Sequence, residues 1–135
     1  MAKHISHDMK QACERCVAQC ERTINEIQRL VTKCLSTEKT ECAAEIGKSV
    51  HEADATVNAC TQCIEACTKH LQQCQDERCK QSCNESITHC QTSIKLCQAL
   101  MNDCTSGDSM CVNTAQQCIK SLSSCAKSCT RCAGI

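Results

Sequence analysis

Cys83-Asn84-Glu85-Ser86-Ile87-Thr88-His89-Cys90 opens a run in which Cys returns every seventh residue, at 83, 90, 97, 104, 111, 118 and 125. Seven residues are two turns of an α-helix and bring a side chain back to the same face. In a strand the same odd step would send it to the opposite face. The run therefore predicts helix on both sides of the Thr105-Ser106-Gly107-Asp108 break. The other cysteines, at 13, 16, 20, 34, 42, 60, 63, 67, 74, 79, 129 and 132, keep the same rule. Most gaps along the chain are of 3, 4 or 7 residues. The gap of 14 before Cys34 is two heptads, and the gap of 18 before Cys60 is five helical turns. Only the steps Cys34 to Cys42 and Cys74 to Cys79 break the pattern, and both straddle expected turns.

Four helices are expected, over residues 6–34, 37–75, 77–104 and 108–132, in one domain spanning 1–135. The segment Cys34-Leu35-Ser36-Thr37-Glu38 supplies capping hydroxyls before an acidic turn. Asp76 is placed to cap the third helix, and Gly107 with Asp108 ends one helix and starts the next. The chain has no Pro to interrupt such lengths. Short links between long helices make antiparallel neighbours, so the expected fold is all-α: an up-down antiparallel four-helix bundle with a cysteine-lined core. The expected inward stripes are Cys13, Cys16, Cys20, Ile24, Ile27, Val31 and Cys34 on the first helix. The second gives Cys42, Ile46, Val50, Val57, Cys60, Cys63, Cys67, Leu71 and Cys74. Cys83, Ile87, Cys90, Ile94, Cys97, Met101 and Cys104 follow on the third. The fourth gives Cys111, Ala115, Cys118, Leu122, Cys125, Cys129 and Cys132.

Composition narrows the function. The chain has 135 residues, 19 of them Cys, with no Phe, Trp or Tyr, and its 15 basic residues balance 15 acidic ones. There is no basic patch or aromatic platform for nucleic acid, no polybasic arm for a membrane surface, and no apolar run long enough to span a bilayer. The opening Met1-Ala2-Lys3-His4-Ile5-Ser6-His7-Asp8 lacks the apolar stretch and cleavage site of a secretory signal. A cytoplasmic, reducing location is expected, where dense Cys points to metal or redox chemistry rather than to disulfides. The odd count leaves at least one thiol unpaired in any case.

Cys as mere core filler would carry an oxidation liability that Ala or Val avoids. A disulfide-linked, partner-binding helical module has one local argument: Cys63 and Cys67, then Cys79 and Cys83, resemble the twin CxxxC hairpin of small intermembrane-space chaperones. Thiols seven apart on one helix, however, lie about 10 Å apart, too far for a bridge. Metal binding accounts for the whole pattern. Four thiolates on Zn(II) leave two negative charges, and several such centres in one narrow core would bury unpaired charge, although a Zn(II) or mixed soft-metal sink remains the alternative. Cu(I) is soft, monovalent and content with two thiolates; if each thiolate bridges two ions, the charge cancels.

With its four-helix length, its CxxxC and CxxC pairs, its heptad run from Cys83 to Cys132 and no leader, the chain resembles the cytosolic branch of the bacterial copper storage proteins. The resemblance implies a bundle that stores many Cu(I) ions per chain on its cysteines, without enzymatic activity, and a homo-oligomer, typically a tetramer. It implies a ligand role for all nineteen: Cys13, Cys16, Cys20, Cys34, Cys42, Cys60, Cys63, Cys67, Cys74, Cys79, Cys83, Cys90, Cys97, Cys104, Cys111, Cys118, Cys125, Cys129 and Cys132. His70, between Cys67 and Cys74, and Met101, on a core stripe, are weaker candidate ligands. Met9 and Met110 are placed to line an entrance. His4 and His7 read as polar residues at a frayed start, and His51 and His89 as surface groups.

Overall fold

The computed structural model describes residues 7–36 and 42–134. They form α1 (His7–Ser36), α2 (Cys42–Ile46), α3 (Val50–Leu71), α4 (Glu77–Ser106) and α5 (Cys111–Ala133), with no strand among the described residues. The expected second helix is broken: Gly47–Ser49 tightens into a 3₁₀ turn between α2 and α3. Two residues explain the break. Gly47 weakens the helix and sits against α4, where an added Cβ would lie 3.6 Å from that of Cys104. The Ser49 hydroxyl donates to the Ile46 carbonyl at 2.7 Å and competes with the regular ladder. The expected cap at Thr37 and Glu38 lies outside the described residues.

The other boundaries follow the turn chemistry. Asp76 caps α4, its carboxylate accepting from the backbone N–H of Arg78 at 2.9 Å and Cys79 at 3.4 Å. Gly107 ends α4 with φ of 72°, the left-handed conformation in which a Cβ is strained. Asp108 does not start the last helix. Its carboxylate accepts from Met110 N–H in a tight turn, and α5 begins three residues later, at Cys111.

Four long segments, α1, α3, α4 and α5, pack so that α1 touches α3 and α5, and α4 touches the same two. Partner numbers fall along one helix as they rise along its neighbour: Cys83 meets Cys132, Cys90 meets Cys125 and Cys97 meets Cys118. The core holds most of the cysteines together with Met9, Ile27, Leu30, Ile46, Leu100 and Leu122.

The expected stripe of α5 is buried throughout. On the other helices Ile27, Val31 and Ile46 are buried as expected, but several other seam positions are displaced by one residue. Ser86 and Ser93 are fully buried where Ile87 and Ile94 were expected, and Leu100 takes the place of Met101; the expected residues are only half-buried. Thr23 replaces Ile24 on α1. Ser49 in the 3₁₀ turn, and Thr56 and His70 on α3, replace Val50, Val57 and Leu71. The branched aliphatics pack along the flanks of the core instead. Removing the α4 cap with Asp76→Ala is expected to destabilise the metal-free protein by about 1 kcal/mol in urea unfolding, leaving its helical spectrum unchanged.

Candidate metal centre

Eleven thiols from four helices share one volume: Cys13, Cys16 and Cys20 of α1, Cys60, Cys63 and Cys67 of α3, Cys83 and Cys90 of α4, and Cys125, Cys129 and Cys132 of α5. All are fully buried apart from Cys132, which is nearly so. They converge because the 3-and-4 spacings on α1, α3 and α5 put three thiols on one face within two turns, and α4 adds one per heptad. Cys16 is the hub. Its Sγ lies 3.7 Å from Cys60, 3.9 Å from Cys90 and 4.0 Å from both Cys20 and Cys125. Cys13 lies 3.6 Å from Cys63, which is 3.7 Å from Cys129. Cys132 is 3.7 Å from Cys83 and 4.0 Å from Cys67.

These separations match the spacing of sulfurs around a shared soft ion. Two four-thiol groups (Cys16, Cys20, Cys60, Cys125 and Cys16, Cys90, Cys125, Cys129) and two three-thiol groups (Cys13, Cys67, Cys132 and Cys13, Cys63, Cys129) each keep all ligand atoms within 4.8 Å. The groups overlap at Cys13, Cys16, Cys125 and Cys129, so ions held by them would share ligands. The clusters can hold several soft metal ions per chain.

At the α3–α4 turn the donors diversify. His70 is buried, with its Nε2 3.0 Å from Cys79 Sγ, and the two form a third kind of group with Cys83. His70 thus stands beside Cys79 rather than only between Cys67 and Cys74. Met9, which sequence placed only at an entrance, is fully buried, and its thioether sulfur accepts from Cys83 at 3.5 Å and Cys132 at 3.9 Å. Helical spacing back from Cys13 and Cys16 was the signal that could have found it. Cys74 is half-buried, its thiol turned to the Asp76 carbonyl.

The far half of the molecule differs. Cys97 and Cys118 form a pair at 3.6 Å. Cys104 is half-buried and Cys111 buried near the α4–α5 turn, outside the multi-thiol groups. Met101 is half-buried among the flank residues, and Met110 is exposed. Cys34 and Cys42, expected as metal ligands, are instead joined in a disulfide across eight residues, their Cα atoms 5.4 Å apart. That Cα separation suits a bridge. The eight-residue step, which fits no helical face, is a loop closure.

Most of the buried thiols hold their protons, but hydrogen bonds with neighbouring cysteines lower Cys63, Cys125 and Cys132, and, against a raising bond with Cys125, those with Cys16, Cys20 and Cys90 bring Cys60 down to about 6. Hydrogen bonding to neighbouring cysteines, then burial, raises Cys13, Cys16 and Cys97 well above the ordinary thiol range. Burial, with a contribution from Cys74, pushes Cys79 up to about 11, and burial pushes Cys104 up to about 11. No carboxylate is buried among the described residues; the buried polar side chains are hydroxyls and His70.

Comparison with protein families, with curated proteins and with solved structures finds no match to the chain.

Two outcomes follow. In the unfolded chain thiols lose protons near pH 8.5, whereas the folded core holds those of Cys13, Cys16, Cys79, Cys97 and Cys104 to higher pH, and such raised thiols outnumber the four that are lowered. The stability they contribute is fully present below that point and lost as pH rises toward the folded values. The melting temperature of the metal-free protein should therefore hold level from pH 6 to 8 and fall toward pH 10, as a calorimetric series would show. Thiol counting on the denatured, unreduced protein should find 17 reactive groups, with Cys34 and Cys42 paired.

Proposed function

We propose that the protein sequesters and stores many Cu(I) ions in the thiolate-lined core of an up-down antiparallel four-helix bundle. One observation carries the reading: eleven buried thiols drawn from four helices, with overlapping groups in which one sulfur serves more than one site. Bridging is the coordination that a soft monovalent ion favours, and it brings the ratio toward one ion per thiolate, where buried charge cancels. The falling partner numbers between α4 and α5, and between α1 and α3, support the antiparallel arrangement.

Uptake then runs as ligand exchange with proton release. A Cu(I) ion reaches a sulfur, the thiol proton leaves to solvent, and neighbouring thiols close around the ion. Likeness to the copper storage proteins supports the same reading and extends it to a homo-oligomer, a tetramer by that likeness, in a reducing cytoplasm where Cys34 and Cys42 would regain their thiols. In that reduced state all nineteen cysteines are open to copper.

Zn(II) is the second reading, favoured by the two four-thiol groups, whose size suits a tetrahedral site. Those groups share Cys16 and Cys125, so two zinc ions would have to share two ligands with no cation nearby to offset the charge.

Anaerobic titration of the reduced protein with Cu(I) against a chromophoric chelator separates the readings. Storage in bridged clusters gives saturation at about fifteen to twenty ions per chain; four or five equivalents of Zn(II) with weak Cu(I) uptake would favour the zinc sink. Because a thiol must give up its proton to bind the ion, copper affinity should rise from pH 5 to 8. A flat profile would contradict uptake by proton exchange.

A further inference from the structure

The thiols do not form one continuous ladder. One heptad on from Cys16 and Cys63, the seam residues of α1 and α3 are Thr23 and Thr56, both fully buried, with their hydroxyls 2.7 Å apart. Both hydroxyls are committed. Both lie within reach of the Glu52 carbonyl, at 3.2 and 3.1 Å, so that one hydroxyl donates to the carbonyl and the other to its neighbour, and Gln19 donates to Thr23 at 3.1 Å. On α4 and α5 the same zone carries Ser93, bonded to Ser121 at 2.9 Å, and Leu122. Hydroxyl oxygens are poor ligands for a soft ion, and these already have partners.

Past this layer lie Cys97 and Cys118, fully buried and 3.6 Å apart. Opposite them, one heptad on from Cys20 and Cys60, stand Ile27 and Ala53, also fully buried. Among the described residues no third His, Cys, Asp or Glu ligand atom lies within 4.8 Å of both sulfurs, and no sulfur contact within 4.0 Å joins the pair to the eleven. Cys60 and Cys125 of the cluster reach Cys97 only through their fields, not through a contact.

We propose that Cys97 and Cys118 form a separate two-coordinate site for a single soft cation, insulated from the multi-thiol cluster by the Thr23–Thr56 and Ser93–Ser121 hydroxyl layer. The inference rests on the soft-metal storage reading and adds to it a division of the core. A cluster in which sulfurs bridge binds about one ion per cysteine, whereas this site binds one ion per two. The cation suited to it accepts two collinear sulfurs and needs no third, as Cu(I) does.

The difference in ratio supplies the test. Full-length, reduced parent protein and the variants Cys97→Ser, Cys118→Ser and the double variant are saturated anaerobically with Cu(I), and the ions held are counted by native mass spectrometry. A two-ligand site is lost whole when either ligand goes, so both single variants and the double variant should each hold one ion fewer than the parent. A double variant holding two fewer, with each single holding one fewer, would mean bridged sulfurs continuous with the cluster and would overturn the proposal. Equal counts in all four proteins would also overturn it. Should Ser unfold this dry layer, Cys97→Ala and Cys118→Ala give the same count with an apolar replacement, the helical spectrum serving as the check. A parent that takes up no Cu(I) would bring down the storage reading, and this proposal with it.

Discussion

The structure depends on burying neutral thiols along a narrow axis. A thiol packs as a small hydrophobe, so it fills a seam without the volume of Leu or Phe and lets four helices approach closely. The chain has no aromatic residue, and its largest fully buried side chains, Met9, Ile27, Leu30, Ile46, Leu100 and Leu122, are few. Sulfur therefore supplies much of the core. The same groups that hold the metal-free fold together are those that must lose protons to take up a soft ion. Folding and binding are coupled through one set of atoms.

That narrowness also decides which features of the fold could be read from sequence. The heptad run from Cys83 to Cys125 marked the seam of α5 completely, because there the alternate seam positions, Ala115 and Leu122, are apolar as well. On α4 the residues after Cys83 offer two candidates for the other seam position, Ser86 at three and Ile87 at four. Hydrophobicity alone chooses Ile87. Close packing chooses Ser86, because the axis between four helices admits small side chains while a branched aliphatic fits the wider flank between two. The same choice recurs at Thr23 against Ile24 and at Thr56 against Val57. An apolar stripe wider than the seam hides its own centre, and only the placement of neighbouring helices reveals it.

The candidate site was legible to the same degree. Cysteine spacing identified the buried thiols of α1, α3 and α5, and His70 stood out by lying between two of them. Helical periodicity treats every cysteine alike, however, and so it could not distinguish three environments. Cys34 and Cys42 close a loop and bond to each other. Cys97 and Cys118 keep their heptad but meet only each other within 4.0 Å, outside the multi-thiol groups. Met9 joins the cluster from one heptad before Cys16, a position whose meaning depends on Cys83 and Cys132 arriving from elsewhere in the chain.

Charge links this packing to the proposed cargo. A dry core can be neutral in two ways: every thiol keeps its proton, or every lost proton is replaced by one monovalent cation. Between them, a divalent ion on four thiolates leaves two charges in a medium that solvates them poorly. Cys16, with four sulfurs within 4.0 Å, is arranged for the second way, because a thiolate there has neighbours on several sides with which to share ions. No buried Lys or Arg accompanies it among the described residues, so no fixed positive charge exists to stabilise an anionic cluster. The counter-charge has to enter with the ligand itself. On this argument the proposed monovalent soft ion would be selected less by any single site than by the lack of a buried Lys or Arg among the described residues.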